Sequence, residues 1–91
     1  MSGADRLARI EALLRQALEP TELEIVDEGH LHVGHAGARD GRGHYRVRLV
    51  SARFSGQSPL ARHRLVYAAL GDMLDSDIHA LALKTLAPEE L

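Results

Sequence analysis

Apolar residues recur along this chain in two different periods, and the switches between them predict its elements. Leu7, Ile10, Leu13, Leu14 and Leu18 return every three or four positions, so they line one face of a helix. Ser2, with Asp5 three positions on, has the form of a cap at its start, and Pro20 stops it. Residues 23–28 then half-alternate as a short strand. Five glycines fall between Gly29 and Gly43, which predicts a loop or an irregular hairpin. Residues 44–50 are the clearest strand. Tyr45, Val47 and Leu49 share one face of it, while His44, Arg46 and Arg48 share the other.

Phe54, Ser55, Gly56 and Gln57 read as a turn. Ser58 caps the next helix with Pro59 at its first position, where the missing N–H costs nothing. That helix is expected to run to about Leu74, burying Val66, Tyr67, Leu70, Met73 and Leu74, with Asp75, Ser76 and Asp77 breaking it. Residues 78–86 alternate as a third strand, and residues 88–91 start a short terminal helix. The first two strands follow one another and should pair antiparallel. The second and third are joined by a helix, so they should pair parallel through a right-handed crossover. The expected fold class is α+β: a small three-stranded mixed sheet with helices on one face, order αββαβ(α), in one domain over residues 1–91.

This topology brings histidines together. If the second and third strands are parallel neighbours, their first residues lie at the same end of the sheet, where the loop from the first strand also arrives. His79 should therefore sit near His44 and near the loop bearing His30, His32 and His35. Neutral imidazole is a common ligand for borderline transition metals. The plainer reading of a loop histidine is a polar residue that tolerates turns. For His79, which opens an otherwise apolar strand, it is a strand-end group satisfied by a carbonyl. No His-Glu-x-x-His pattern or four-ligand zinc set is present. His63, three and four residues before Val66 and Tyr67, should face the packed side of its helix as a structural histidine. Arg62 and Arg64 should reach solvent or a partner.

Composition narrows the function classes. The chain has 91 residues and no cysteine, which removes disulfides, thiol catalysis and thiolate-only metal sites. No apolar run approaches the roughly 20 residues of a membrane-spanning helix, and the first residues lack the pattern of a secretory leader. These features, with arginine preferred to lysine, fit a bacterial cytoplasmic protein. The net charge of −2 hides three blocks: residues 1–38 sum to −4, residues 39–64 to +6 and residues 65–91 to −4. The middle block could present a local basic face to a polyanion. Enzyme chemistry finds little support. There is no phosphate loop ahead of a lysine and no nucleophile elbow, and Asp27 and Glu28 are adjacent and so point to opposite faces of a strand.

Several runs together resemble the BolA family. They are residues 23–28, His32-Val33-Gly34-His35-Ala36-Gly37, His44-Tyr45-Arg46-Val47, Phe54-Ser55-Gly56-Gln57-Ser58, the Arg62-His63-Arg64 helix and the Ile78-His79-Ala80-Leu81 strand. The resemblance implies a fold like the type II KH domain. It also implies partnership with a monothiol glutaredoxin, sharing a [2Fe–2S] cluster to which the glutaredoxin and a glutathione bring thiolates. No cluster would then be held tightly by the isolated protein, which would be a monomer or weak homodimer. Carried over residue by residue, the strand ligand is His79. The second ligand comes from the preceding loop as a histidine, His35 or His32, with His44 a third candidate. Gln57, Arg62 and Arg64 would then contact the partner. The family's other role, DNA-binding regulation of stress response and cell morphology, would draw on Arg46, Arg48, Arg53, Arg62 and Arg64. A Gly-x-x-Gly grip on nucleic acid is missing.

Overall fold

The computed structural model describes residues 3–28 and 43–91. The Ser2 cap and the glycine-rich connection with His30, His32 and His35 lie outside those residues. Helix α1 (Gly3–Leu18) buries Ile10, Leu14 and Leu18 at 2% exposure or less, with Leu13 and Ala17 packed beside them. It closes at Glu19, whose N–H reaches the Arg15 carbonyl at 3.1 Å and whose φ of 47° turns the chain out of the helix ahead of Pro20.

Strands β1 (Glu22–Asp27), β2 (Gly43–Val50) and β3 (Ile78–Leu86) form one sheet in the order β1-β2-β3. β1 runs antiparallel and β3 parallel to the central strand, as the connection lengths predict. Ile25, Val47 and Leu83 align across the sheet, as do Leu23, Leu49 and Thr85. Tyr45, Val47 and Leu49 turn this face toward the helices and are almost fully buried. The opposite, open face carries Glu22, Glu24 and Val26 from β1, His44, Arg46 and Arg48 from β2, and Ala80, Ala82 and Lys84 from β3.

Helix α2 (Pro59–Leu70) begins as expected: the Ser58 hydroxyl accepts the Ala61 N–H at 3.1 Å and Pro59 occupies the first turn. Its end differs from the sequence expectation. Gly71, at φ 55°, breaks the helix, its N–H reaching the Tyr67 carbonyl at 2.9 Å. A separate single turn, α3 (Met73–Ser76), follows and takes in Asp75 and Ser76, the residues expected to be breakers. The interruption lets Met73 drop back into the core at 2% exposure. Tyr67 is also placed differently. Val66 and Leu70 occupy the core-facing row, which leaves Tyr67 outward at 41% exposure. Phe54, read as a turn residue, closes the 3₁₀ turn Ala52–Phe54 and is fully buried. The chain ends in a second 3₁₀ turn, Pro88–Glu90.

Candidate functional site

The sheet end at which β2 and β3 begin is built around an irregularity. Gly43 aligns with Ile78, but His44 aligns with Ala80, so His79 is an extra residue on β3. Such bulges are rare in parallel pairs and serve to re-aim side chains. Counting back in steps of two from Leu83 and Leu81 would put His79 on the helix face. The bulge instead sends Ile78 into the core at 3% exposure and leaves both His79 and Ala80 exposed. The signal was in the sequence: Ile78 and Leu81, both large and apolar, lie three apart and cannot share one face of a regular strand.

The imidazole rings of His44 and His79 consequently lie 5.1 Å apart between centroids, tilted by 49°. His44 is only 7% exposed, whereas His79 faces solvent. The sequence expectation that these two meet is met by the geometry. A shallow cleft of about 240 Å³ opens beside them, lined by Glu28, His44, Tyr45, Ala80, Leu81 and Ala82.

The backbone around the pair is tightly set. The Gly43 N–H bonds the Asp77 carbonyl at 2.8 Å, and the Glu28 N–H bonds the His44 carbonyl at 2.7 Å. A Cβ at Gly43 would fall inside the van der Waals envelope of the Tyr45 ring, so this position requires glycine. Burial pushes the Tyr45 phenol above its ordinary value, against the positive charge of Arg6, which favours the charged form. Arg6 is in turn 3.9 Å from the Asp77 carboxylate. The helix α1, the start of β2 and the residue before β3 are thus joined around Tyr45.

Two imidazoles side by side fit half of the donor set that a [2Fe–2S] cluster takes, in the manner of centres with two histidines on one iron. Among the described residues no group of three or more histidine, cysteine or acidic side chains is arranged to hold a metal ion. The two described imidazoles do not make a complete metal site by themselves. His32 and His35 lie outside the described residues.

The arginines do not share one surface. Arg46 pairs with Glu28 and Arg48 with Glu22, each at 2.9 Å, on the open face of the sheet. Among the described residues, Glu22, Glu24 and Glu28 there offset Arg46, Arg48 and Lys84. Arg62, expected at the surface, is buried at 9% exposure. Its Nη1 and Nη2 bind both oxygens of Glu90 at 2.6 and 2.8 Å, its Nε donates to the Gln57 carbonyl at 2.9 Å, and Nη1 reaches the Thr85 carbonyl at 3.2 Å. The guanidinium lies 6.0 Å from the Phe54 ring centroid. Its role is to clamp the chain's last turn, and its donors are used inside the fold. No local pattern announces this pairing, because Glu90 is 28 residues away along the chain. Gln57 and Arg64 are exposed, and half-buried His63 lies edge-on to Tyr67 at 6.4 Å.

The family model for BolA-like proteins matches residues 14–90. The chain therefore belongs to the BolA family, and its fold is that of the family's solved members. It is 45% identical over 82 residues to the "DNA-binding transcriptional regulator BolA" of Escherichia coli, which covers 90% of this chain and 75% of that protein. It is 42% identical to the chloroplastic and mitochondrial SufE-like protein 1 of Arabidopsis thaliana, covering 91% of this chain but only 24% of that longer protein. The solved BolA domain of SufE1 from the same plant superposes with a TM-score of 0.84 at 38% identity, over 100% of both chains. No helix among the described residues is long and apolar enough to cross a membrane.

Proposed function

We propose that this protein is a BolA-type partner of a monothiol glutaredoxin and shares a [2Fe–2S] cluster with it, His79 serving as its exposed ligand. The role is cluster trafficking or iron and redox sensing, without a reaction of its own. The observation that carries this reading is the bulge at the start of β3, which turns His79 outward within 5.1 Å of the His44 ring. The occurrence of a BolA domain in a SufE-like protein is consistent with it. Histidine ligation lowers the negative charge on a cluster relative to thiolate and raises its potential. It also ties binding to the neutral imidazole. His44, His35 and His32 are the candidates for the second histidine, and glutathione with the glutaredoxin cysteine would complete the set.

The test is a titration of a [2Fe–2S]-loaded monothiol glutaredoxin with this protein, followed by visible absorption and circular dichroism. A spectral change that saturates at one equivalent and disappears with His79→Ala is the expected result. No change with the unaltered protein refutes the reading.

The other reading is a DNA-binding transcriptional regulator, the role printed in the name of the Escherichia coli relative. Here Arg46 and Arg48 on the open face are paired with Glu28 and Glu22, and Arg62 is committed to Glu90. Binding through phosphates would show as an affinity that falls steeply with salt and ignores His79→Ala.

A further inference from the structure

The two long helices expose different surfaces. The outward positions of α1 include Arg9, Arg15 and Gln16, the ordinary solvated side of an amphipathic helix. Helix α2 has no such polar side. Leu60 is 60% exposed, Tyr67 41% and Leu65 36%, and Ala68 is exposed beside them. Apolar residues thus run around the helix, on a flank that no other described element covers.

At the centre of this outward face stands Arg64, with Leu60, Tyr67 and Ala68 four residues before, three after and four after it. Residues 59–70 contain no acid. Among the described residues no carboxylate pairs with Arg64, whereas Arg46, Arg48, Arg53 and Arg62 each have one. An exposed tyrosine and arginine on an apolar face, without lysine or acids, have the composition of a protein-interface centre. Nucleic acid would call for several cations here, and a bilayer surface for a basic polar face beside a larger apolar one.

We propose that the outer face of α2 is a docking surface for a partner protein that presents an amphipathic segment with a carboxylate among its apolar side chains. The carboxylate meets Arg64, and the apolar residues cover Leu60, Leu65 and Tyr67. The inference does not require the cluster reading, because neither His44 nor His79 takes part, although the family resemblance also assigns Arg64 to partner contact.

The experiment is selection of a displayed library of random 16-residue peptides on the intact chain, followed by affinity measurement and amide chemical-shift mapping. Enriched peptides should carry Asp or Glu flanked by apolar residues, and their shifts should map to α2. Arg64→Glu should weaken them at least tenfold, and exchanging the peptide acid for lysine should restore binding to that variant. Tyr67→Ser should weaken binding, and His79→Ala should leave it unchanged. Both α2 positions are exposed, and circular dichroism would verify that the variants fold. The proposal fails if no peptide is enriched, if binders lack acids, or if Arg64→Glu has no effect. Tyr67-dependent self-association in sedimentation equilibrium would make the occupant a second copy and overturn it. Tyr67-dependent partition into phosphatidylserine vesicles would overturn it in favour of a membrane.

Discussion

Where β2 and β3 end, a charged side chain is held by every neighbour within reach; where they begin, an imidazole is turned out into solvent. Arg62 has both Glu90 oxygens, two backbone carbonyls and the Phe54 ring around it. Close by, the buried Ser51 hydroxyl donates to the Leu18 carbonyl at 2.6 Å and its N–H bonds the Leu86 carbonyl at 2.9 Å. His79, at the other end, owes its exposure to one extra residue in the strand. A polar side chain at an end of the sheet is thus a fastener or a solvent-facing group according to what the chain packs around it, and residue type alone does not distinguish the two.

The strongest way to break the fastened end is Phe54→Ala. The ring is fully buried beneath the Arg62 guanidinium, so its loss removes core contacts and leaves a cavity. The expected cost is about 3–5 kcal/mol, read as a fall in the urea midpoint with an unchanged slope. A loss under about 1 kcal/mol would show that the terminal clamp carries little of the fold.

Phe54 also marks how far the sequence could be read. Periodicity placed α1 and β2, the Ser58-Pro59 pair placed the helix cap, and the kind of connection between strands indicated the mixed pairing. That pairing brought His79 to His44, since parallel strands must share an end. What escaped was set by distant partners or by a single φ angle. Phe54 and Arg62 depend on the last turn of the chain, and the end of α2 depends on Gly71 adopting a left-handed φ. Tyr67 looked like core because its spacing fits a helical stripe. Val66 and Leu70 fill the core-facing row first.

Gly43→Ala attacks the open end with the next largest effect. The new methyl group cannot coexist with the Tyr45 ring where it lies, so the ring or the bulge must shift, at about 1–3 kcal/mol. Because the Gly43 N–H is bonded to the Asp77 carbonyl, the disturbance should reach His79. Chemical shifts of the His44 and His79 rings should move, while amides around Ser51 and Glu90 stay in place. Rings that do not respond would mean the bulge is set by β3 alone.

Acid sharpens the contrast from the other side. The hydrogen bond from Arg62, aided by the Ala87 N–H, holds the Glu90 carboxyl down to about 2 from an ordinary 4.5. A carboxyl depressed in the folded state contributes stability that is fully present above the unfolded value and is lost as pH falls through the folded one. The stability gap between the unaltered protein and Glu90→Gln should therefore be constant above about pH 5 and shrink between about 4.5 and 2. Urea midpoints across that range measure it. A gap independent of pH would assign the clamp to packing rather than to charge.

The smallest effect on stability belongs to His79→Ala, and that is what makes it informative. The side chain is exposed on a strand whose alignment is fixed by Ile78 in the core and by the hydrogen bonds of residues 80–86. Its removal should change stability by no more than about 0.5 kcal/mol. A histidine retained to satisfy the fold would cost more when lost, with movement in the His44 ring and in the amides of β3. A histidine placed for a ligand leaves the fold intact and removes only the spectroscopic response to a cluster-loaded partner. Urea denaturation and the cluster titration on the same variant therefore separate the two roles: a stable fold with no spectral change assigns His79 to the ligand, and an unstable fold moves it to the side of Arg62.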